Sequence, residues 1–309
     1  PALPGTLTLH SGATLALHGD RLVLTRLVNT LTEPGQRSRV ALEMQAPLLI
    51  DLADPAALLA SPRVFGTLAI ADLPLPWING LLDGQQLEGG TLSAGFEMAS
   101  DDKSRLQLLP LQKLLLGDVA VKAGDDVLAP RLRLSLLPRI TRAADHLRVR
   151  IDELSLGDGE HQLLGGKLRI TQPLPVSADV PLRLSYDLES DVDALMALPP
   201  LAVRREAYPL PAAINVHAKG DVEVLGSQIT IAALDASIAQ AARAAVVRVL
   251  SRQAFVLPAA GEAFKNPRGE LASLSLRGFD LAWLSALIEG VDLQGSIASA
   301  DLLLTAPDA

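Results

Sequence analysis

Apolar and polar residues alternate along most of this chain with a period of two. In 131–136 (RLRLSL), Leu132, Leu134 and Leu136 share one side, and Arg131, Arg133 and Ser135 share the other. The stretch 146–152 sets Leu147, Val149 and Ile151 against His146, Arg148, Arg150 and Asp152. In 167–170 Leu168 and Ile170 oppose Lys167 and Arg169; in 182–189 Leu182, Leu184, Tyr186 and Leu188 oppose Arg183, Ser185, Asp187 and Glu189. A strand points successive side chains to opposite faces, so this pattern predicts antiparallel strands with one dry and one wet face. Weaker runs of the same kind occur at 6–9, 13–17, 21–24, 39–44, 105–109, 119–121, 214–218, 222–224, 228–231 and 271–276. Turn signals punctuate them: His18-Gly19-Asp20, Gly124-Asp125-Asp126, Gly157-Asp158-Gly159, Gly165-Gly166 and Gly220-Asp221.

One segment occurs twice. Aligned without gaps, 66–98 and 272–304 match Leu68 with Leu274, Ile70 with Leu276, Leu73 with Phe279 and Leu75 with Leu281. They also match Trp77 with Trp283, Gly84 with Gly290, Leu87 with Leu293 and Gly89 with Gly295. The chain's 2 tryptophans thus stand 206 residues apart (283 − 77) at one point of a strand–short helix–strand unit. Self-similarity at a fixed offset marks a repeat, and Trp77 and Trp283 read as its anchors, each closing a joint between strands.

Helical signals are sparse. The strongest spans 235–252, where Asp235 suits an N-cap and Ile238, Ala242, Val246 and Val249 recur at helical spacing. Shorter pieces fit 54–60, 75–83, 191–197 and 281–289. Prolines cluster at 173–181 and 199–211. The expected organisation is a first β segment over 1–198, a Pro-rich linker or loop at 199–211, and a second β segment over 212–309 covered by helix 235–252. A sheet of more than about ten strands curls or splits, so the fold class expected is mainly β: a long, strongly curved antiparallel sheet with few connecting helices.

The chain has 309 residues, is 49% hydrophobic and only 3% aromatic, so its apolar content is aliphatic. No uncharged apolar run reaches the ~18–20 residues that cross a bilayer. A net charge of −8, with scattered Lys and Arg, speaks against a nucleic-acid partner. With 0 cysteines there is no disulfide framework or thiolate metal site. The opening PALPGTLTLH, without initiator Met or signal sequence, is what an internal or C-terminal piece of a longer protein would show.

Catalytic patterns are missing. The histidines His10, His18, His146, His161 and His217 include no i, i+4 pair for a metal, and no nucleophile elbow, phosphate loop or zinc-protease motif occurs. Asp101-Asp102 and Asp125-Asp126 read as turn residues, and Asp191 and Asp193 as the acidic start of a short helix. The chain is therefore expected to be no enzyme and to need no cofactor or metal.

The repeat unit resembles a recurring element of the AsmA/TamB-like superfamily. The residues that carry the likeness are Leu73-Pro74-Leu75-Pro76-Trp77-Ile78, Gly84 and Leu87-Glu88-Gly89, then Phe279-Asp280-Leu281-Ala282-Trp283-Leu284, Gly290 and Leu293-Gln294-Gly295. The resemblance implies a periplasmic envelope protein of a Gram-negative bacterium, with an inner-membrane anchor outside these residues and an aliphatic β-groove that conducts phospholipid between the inner and outer membrane. Its partners would be phospholipid and envelope proteins of both membranes. Under that expectation the groove is lined by Leu132, Leu134, Leu136, Leu147, Val149, Ile151, Leu168, Ile170, Leu182, Leu184, Tyr186 and Leu188. Two alternatives stand beside it: an assembly scaffold or chaperone that offers strand edges to outer-membrane proteins, and a closed TULIP-like lipid-binding tube packed around helix 235–252.

Overall fold

The computed structural model describes residues 7–33, 38–53, 58–59, 63–82, 85–101, 105–124, 126–177, 179–202, 213–240, 246–257, 268–281 and 294–306. The chain is mainly β and antiparallel throughout the registers below, the class that the alternation predicts. It parts into two units, residues 1–159 with 171–175, and residues 160–170 with 176–309.

The first unit contains β1 (Thr8–His18), β2 (Arg21–Thr32), β3 (Ser38–Met44), β4 (Leu48–Asp51), β5 (Leu58–Leu59) and β6 (Arg63–Pro74). A 3-10 helix, Leu75–Leu81, leads to β7 (Gln85–Glu88), β8 (Thr91–Ser100), β9 (Leu106–Ala123), β10 (Asp126–Arg142) and β11 (His146–Gly157). Strand β12 (Gln162–Pro173) opens the second unit, its last three residues being grouped with the first. There follow β13 (Leu182–Asp191), α1 (Val192–Met196), β14 (Ile214–Leu225), β15 (Gln228–Gln240), β16 (Val247–Ser251), β17 (Phe255–Leu257), β18 (Gly269–Asp280) and β19 (Ser296–Ala306).

Long strands flanked on one side by two short collinear ones recur in both units. Strand β2 pairs with β3 through Val28–Thr32 and with β4 through Arg21–Leu24. The same arrangement sets β16 and β17 along β15, and β8 and β7 along β9.

Helix 235–252 does not form. Residues up to Gln240 belong to β15 and Val247–Ser251 to β16, with Ala236 opposite Val249 and Ile238 opposite Val247. Those four residues alternate as well as they fit a helix, and cross-strand pairing wins. Asp235, expected to cap the helix, instead accepts from Arg248 Nε at 3.0 Å and Nη2 at 2.8 Å across the ladder; residues 241–245 lie outside the described residues.

Two predicted turns are also absent. Strand β12 runs through Gly165-Gly166, and β14 runs through Gly220-Asp221. These glycines are needed for close approach. A Cβ on Gly166 would lie 2.1 Å from the Asp187 carbonyl oxygen, and one on Gly220 2.9 Å from the Tyr186 hydroxyl, which lies over it.

Of the shorter helical expectations, 75–83 is the 3-10 helix and 191–197 holds α1, where the Asp191 carboxylate accepts from Ala194 N at 3.1 Å. Segment 54–60 contains β5, its other residues lying outside the described ones, as do 282–289, Trp283 and most of the linker 199–211.

The repeat is much larger than the sequence match. Strands β1–β4 recur as β14–β17 at an offset of 207, and β6 and β8 recur as β18 and β19 at 206. Leu22 opposite Ile50 becomes Ile229 opposite Leu257; Leu31 opposite Val40 becomes Ile238 opposite Val247; Leu68 opposite Phe96 becomes Leu274 opposite Leu302. Irregularities recur too. A register shift falls between Thr14 and Leu15 and again between Asp221 and Val222; another falls between Val64 and Gly66 and between Glu270 and Ala272. Gly19 and Gly226 turn their hairpins at φ 58° and 57°, and Asp72 and Gly278 share positive φ. Gln45 N donates to Phe65 O, and Arg252 N to Leu271 O, both at 2.8 Å. Bulges specify a local bend, so their recurrence at equivalent positions marks one structural unit built twice.

Candidate functional site: the apolar sheet faces

Residues opposite each other in a ladder project to the same face, so the registers trace continuous apolar rows. In the first unit one row runs Leu42, Leu68, Phe96, Pro110, and a second runs Leu73, Leu92, Leu116, Leu134, Leu156. A third runs Met98, Leu108, Ile140, Val149. In the second unit Leu188, Ala218, Ala236, Val249, Leu274 and Leu302 form one row, and Val216, Ile238, Val247, Leu276 and Ala300 the next. Part of that face packs into a small core of Ile214, Val246 and Phe279.

The predicted lining residues sit on β10–β13. Leu134 and Leu136 face Leu156 and Leu154, while Leu147, Val149 and Ile151 face Arg142, Ile140 and Pro138; a bulge after Leu136 keeps both sets on one side. Leu132 lies opposite Val119. Leu182, Leu184, Tyr186 and Leu188 face Val224, Val222, Gly220 and Ala218. Leu168 and Ile170 lie on β12. All twelve are half-buried, neither sealed in a core nor fully open. The structure thus gathers the predicted residues of β10 and β11 on one face, and it adds rows in the outer strands that sequence reasoning missed. Those rows combine residues from strands distant in sequence, and part of them falls in 235–252, where the helical reading hid the alternation.

Polar faces carry ion pairs. Asp118 accepts from Arg131 Nε at 2.7 Å and Arg133 Nε at 2.9 Å, and these guanidinium hydrogen bonds, Arg133's foremost, hold its carboxyl at about 2. Arg277 on β18 grips Asp301 on β19, with both contacts at 2.9 Å, and Asp301 sits below the usual carboxylate range because of it. His217 Nε2 meets Asp187 Oδ1 at 2.8 Å. Burial, then the Asp221 charge, pushes the Tyr186 phenol up.

The chain matches no family model, no curated protein and no solved structure.

At the joint after β6, Leu75 is fully buried whereas Trp77 is half-buried. Asn79 fastens the 3-10 helix to β7, donating to Leu87 O at 3.0 Å and accepting from Leu87 N at 2.8 Å. A polar cavity of about 370 Å³ in the second unit is lined by Glu160, His161, Gln162, Glu189, Asp191 and Asn215. Among the described residues no group of three or more His, Asp or Glu is placed to hold a metal, and no helix is long and apolar enough to cross a membrane.

Proposed function

We propose that the chain is a non-enzymatic, lipid-binding part of a periplasmic envelope protein, and that its apolar faces hold and pass phospholipid acyl chains. The observation that supports this reading is apolar area left uncovered. Leu9, Leu17, Leu302 and Leu304 are each between 53% and 68% exposed. Among the described residues the largest fully buried side chains are Leu75, Leu163 and Leu271. Open aliphatic surface costs roughly 25 cal/mol per Å², and acyl chains laid along the rows offset that at about 0.8 kcal/mol per buried methylene. The rows contain few directional polar groups, which suits a ligand that slides. The likeness of the repeat unit to AsmA/TamB-like proteins points the same way and sets the movement between the inner and outer membrane. A tube packed around helix 235–252 lacks that helix, because residues up to Gln240 continue β15 and Val247–Ser251 form β16.

Native mass spectrometry of the purified chain, followed by lipid extraction, tests this. Near-stoichiometric phospholipid is expected, and Leu134→Asp or Leu184→Asp should abolish loading while the β circular-dichroism signal persists. A lipid-free chain that also refuses added phospholipid would overturn the reading.

A further inference from the structure

Away from the apolar rows, the registers set charge against opposite charge or against a neutral residue. Arg21 faces Asp51, Arg183 faces Glu223, and Lys219 faces both Asp187 and Asp235. Among the described pairings only Arg139 on β10 and Arg150 on β11 stand opposite a like charge. Arg148, two residues from Arg150 on the same side, lies opposite Thr141. Like charges directly opposed destabilise a ladder, and a local rule broken without compensation inside the fold points to function.

Compensation is indeed missing. Arg131 and Arg133, further along that side of β10, are held by Asp118, but Arg139 and Arg148 have no side-chain hydrogen bond or ion pair among the described residues. Arg150 donates to Asp152 through Nε alone. Asp145, in the turn between the strands, is taken up by His146 Nδ1 at 2.7 Å and draws only weakly on Arg148. All three guanidinium groups belong to exposed residues.

The same side of the sheet carries leucines where alternation calls for polar residues. Leu109 lies opposite Glu97, and Leu115 lies opposite Ser93 and Ser135. Leu137 falls between Leu136 and Pro138, which both project toward the apolar rows, and so it projects away from them. Leu115 is 47% exposed, and Leu111, in the bulge between Pro110 and Gln112, is 58% exposed. Leu137 stands only ~7 Å along the strand from Arg139.

Water satisfies a guanidinium group but gives no reason for leucines beside it, and an acidic protein surface would answer the charges alone. A bilayer surface answers both. Arginine binds phosphate bidentately while its stem lies along apolar surface, and exposed aliphatic side chains enter the boundary beneath the headgroups. We propose that this side of β9–β11 docks on the surface of an anionic phospholipid bilayer, with Arg139, Arg148 and Arg150 taking headgroup phosphates and Leu111 and Leu115 entering the boundary. The net charge of −8 opposes diffuse attraction to such a surface, so the contact is made through this patch. It lies on the opposite side of the sheet from the apolar rows and does not rest on their carrying acyl chains.

Flotation with intact vesicles tests this. The chain should rise with vesicles of phosphatidylethanolamine and phosphatidylglycerol, far less with phosphatidylcholine vesicles, and less as salt is raised. Arg139→Glu combined with Arg148→Glu should lower the partition coefficient by about 30-fold or more, and Leu115→Ser by about threefold, with unchanged circular dichroism. Leu134→Asp, aimed at the apolar rows, should leave flotation unchanged, so the two readings fail separately. Equal flotation with both vesicle types, or with neither, would overturn the proposal. So would anionic binding that survives the double charge reversal.

Discussion

Equivalent residues in the two copies share register yet differ sharply in burial. Phe96 is 6% exposed, and Leu302, at the same place in the repeat, is 53% exposed. Ala94 is fully buried, and its equivalent Ala300 is half-buried. Phe96 and Ala94 lie on β8, which pairs with β9, whereas β19 has no strand beyond it among the described residues. Local sequence fixes the hairpin, the bulge and the register; the neighbouring strand fixes how much of each side chain is dry. A repeat of this kind can therefore keep one backbone while its side chains serve as core in one copy and as surface in the other.

The sharpest way to break the equivalence is at the corner where both copies bury one apolar side chain. Phe65 and Leu271 are equivalent and 5% and 0% exposed. Phe65→Ala should cost about 3–5 kcal/mol and Leu271→Ala about 2–5 kcal/mol. Amide exchange should show each loss confined to its own unit, and equal loss of protection in both units would show that they unfold together.

Smaller effects are expected where the copies differ by one methyl group. A Cβ on Gly66 would come within 2.4 Å of Met98 Cε and 2.8 Å of the Glu43 carbonyl oxygen, so Gly66→Ala should destabilise by about 1–3 kcal/mol. Its equivalent already carries that methyl, and Ala272→Gly should cost only about 0.5–1 kcal/mol. Chemical denaturation of the two variants ranks them directly.

The hairpin glycines test sameness. Gly19 and Gly226 have open space around them and matching φ, so Ala at either should cost about 1–2 kcal/mol from backbone strain alone. A clear difference between the two melting shifts would mean that the hairpins are not equivalent in solution.

The weakest contrast is electrostatic. Hydrogen bonds from Arg248, then its charge, hold Asp235 below the usual carboxylate range; the first copy has Val28 and Ala41 in those places. A lowered folded pKa stabilises above the unfolded value and is lost as pH falls through the folded one. Acid should therefore loosen this ladder in the second copy alone, and Arg248→Ala should raise the Asp235 titration midpoint measured by NMR.

Much of the fold is legible in the residues. Strict alternation with charged outer positions, as in Leu132–Leu136 and Leu182–Leu188, admits only one reading, and the paired tryptophans expose part of the duplication. The rest is hidden for physical reasons. Strands β1–β4 and β14–β17 share register and bulges while their side chains drift, Leu24 becoming Ile231 and Leu48 becoming Phe255, so identity fades where backbone geometry persists. The run from Asp235 to Arg252 mixes Ala and Val at spacings that serve helix and strand alike, and only its partners decide. Gly166 and Gly220 look like turn residues because the strand that crowds them is remote in sequence. The apolar rows were half-visible: a strand shows which side is dry, but not which neighbour continues the row.

The split pairing along β2, β9 and β15 has a mechanical consequence. Two collinear short strands meet beside a long one as in a splice, and opposite the junction a few residues of the long strand lack a partner on that side: 25–27 in β2 and 118–119 in β9. Bending at such a nick strains the ladder on one side of the long strand only, whereas bending elsewhere strains the ladders on both sides. Compliance is thereby concentrated at fixed places in the sheet, and a load applied across it would be taken up at the splices first.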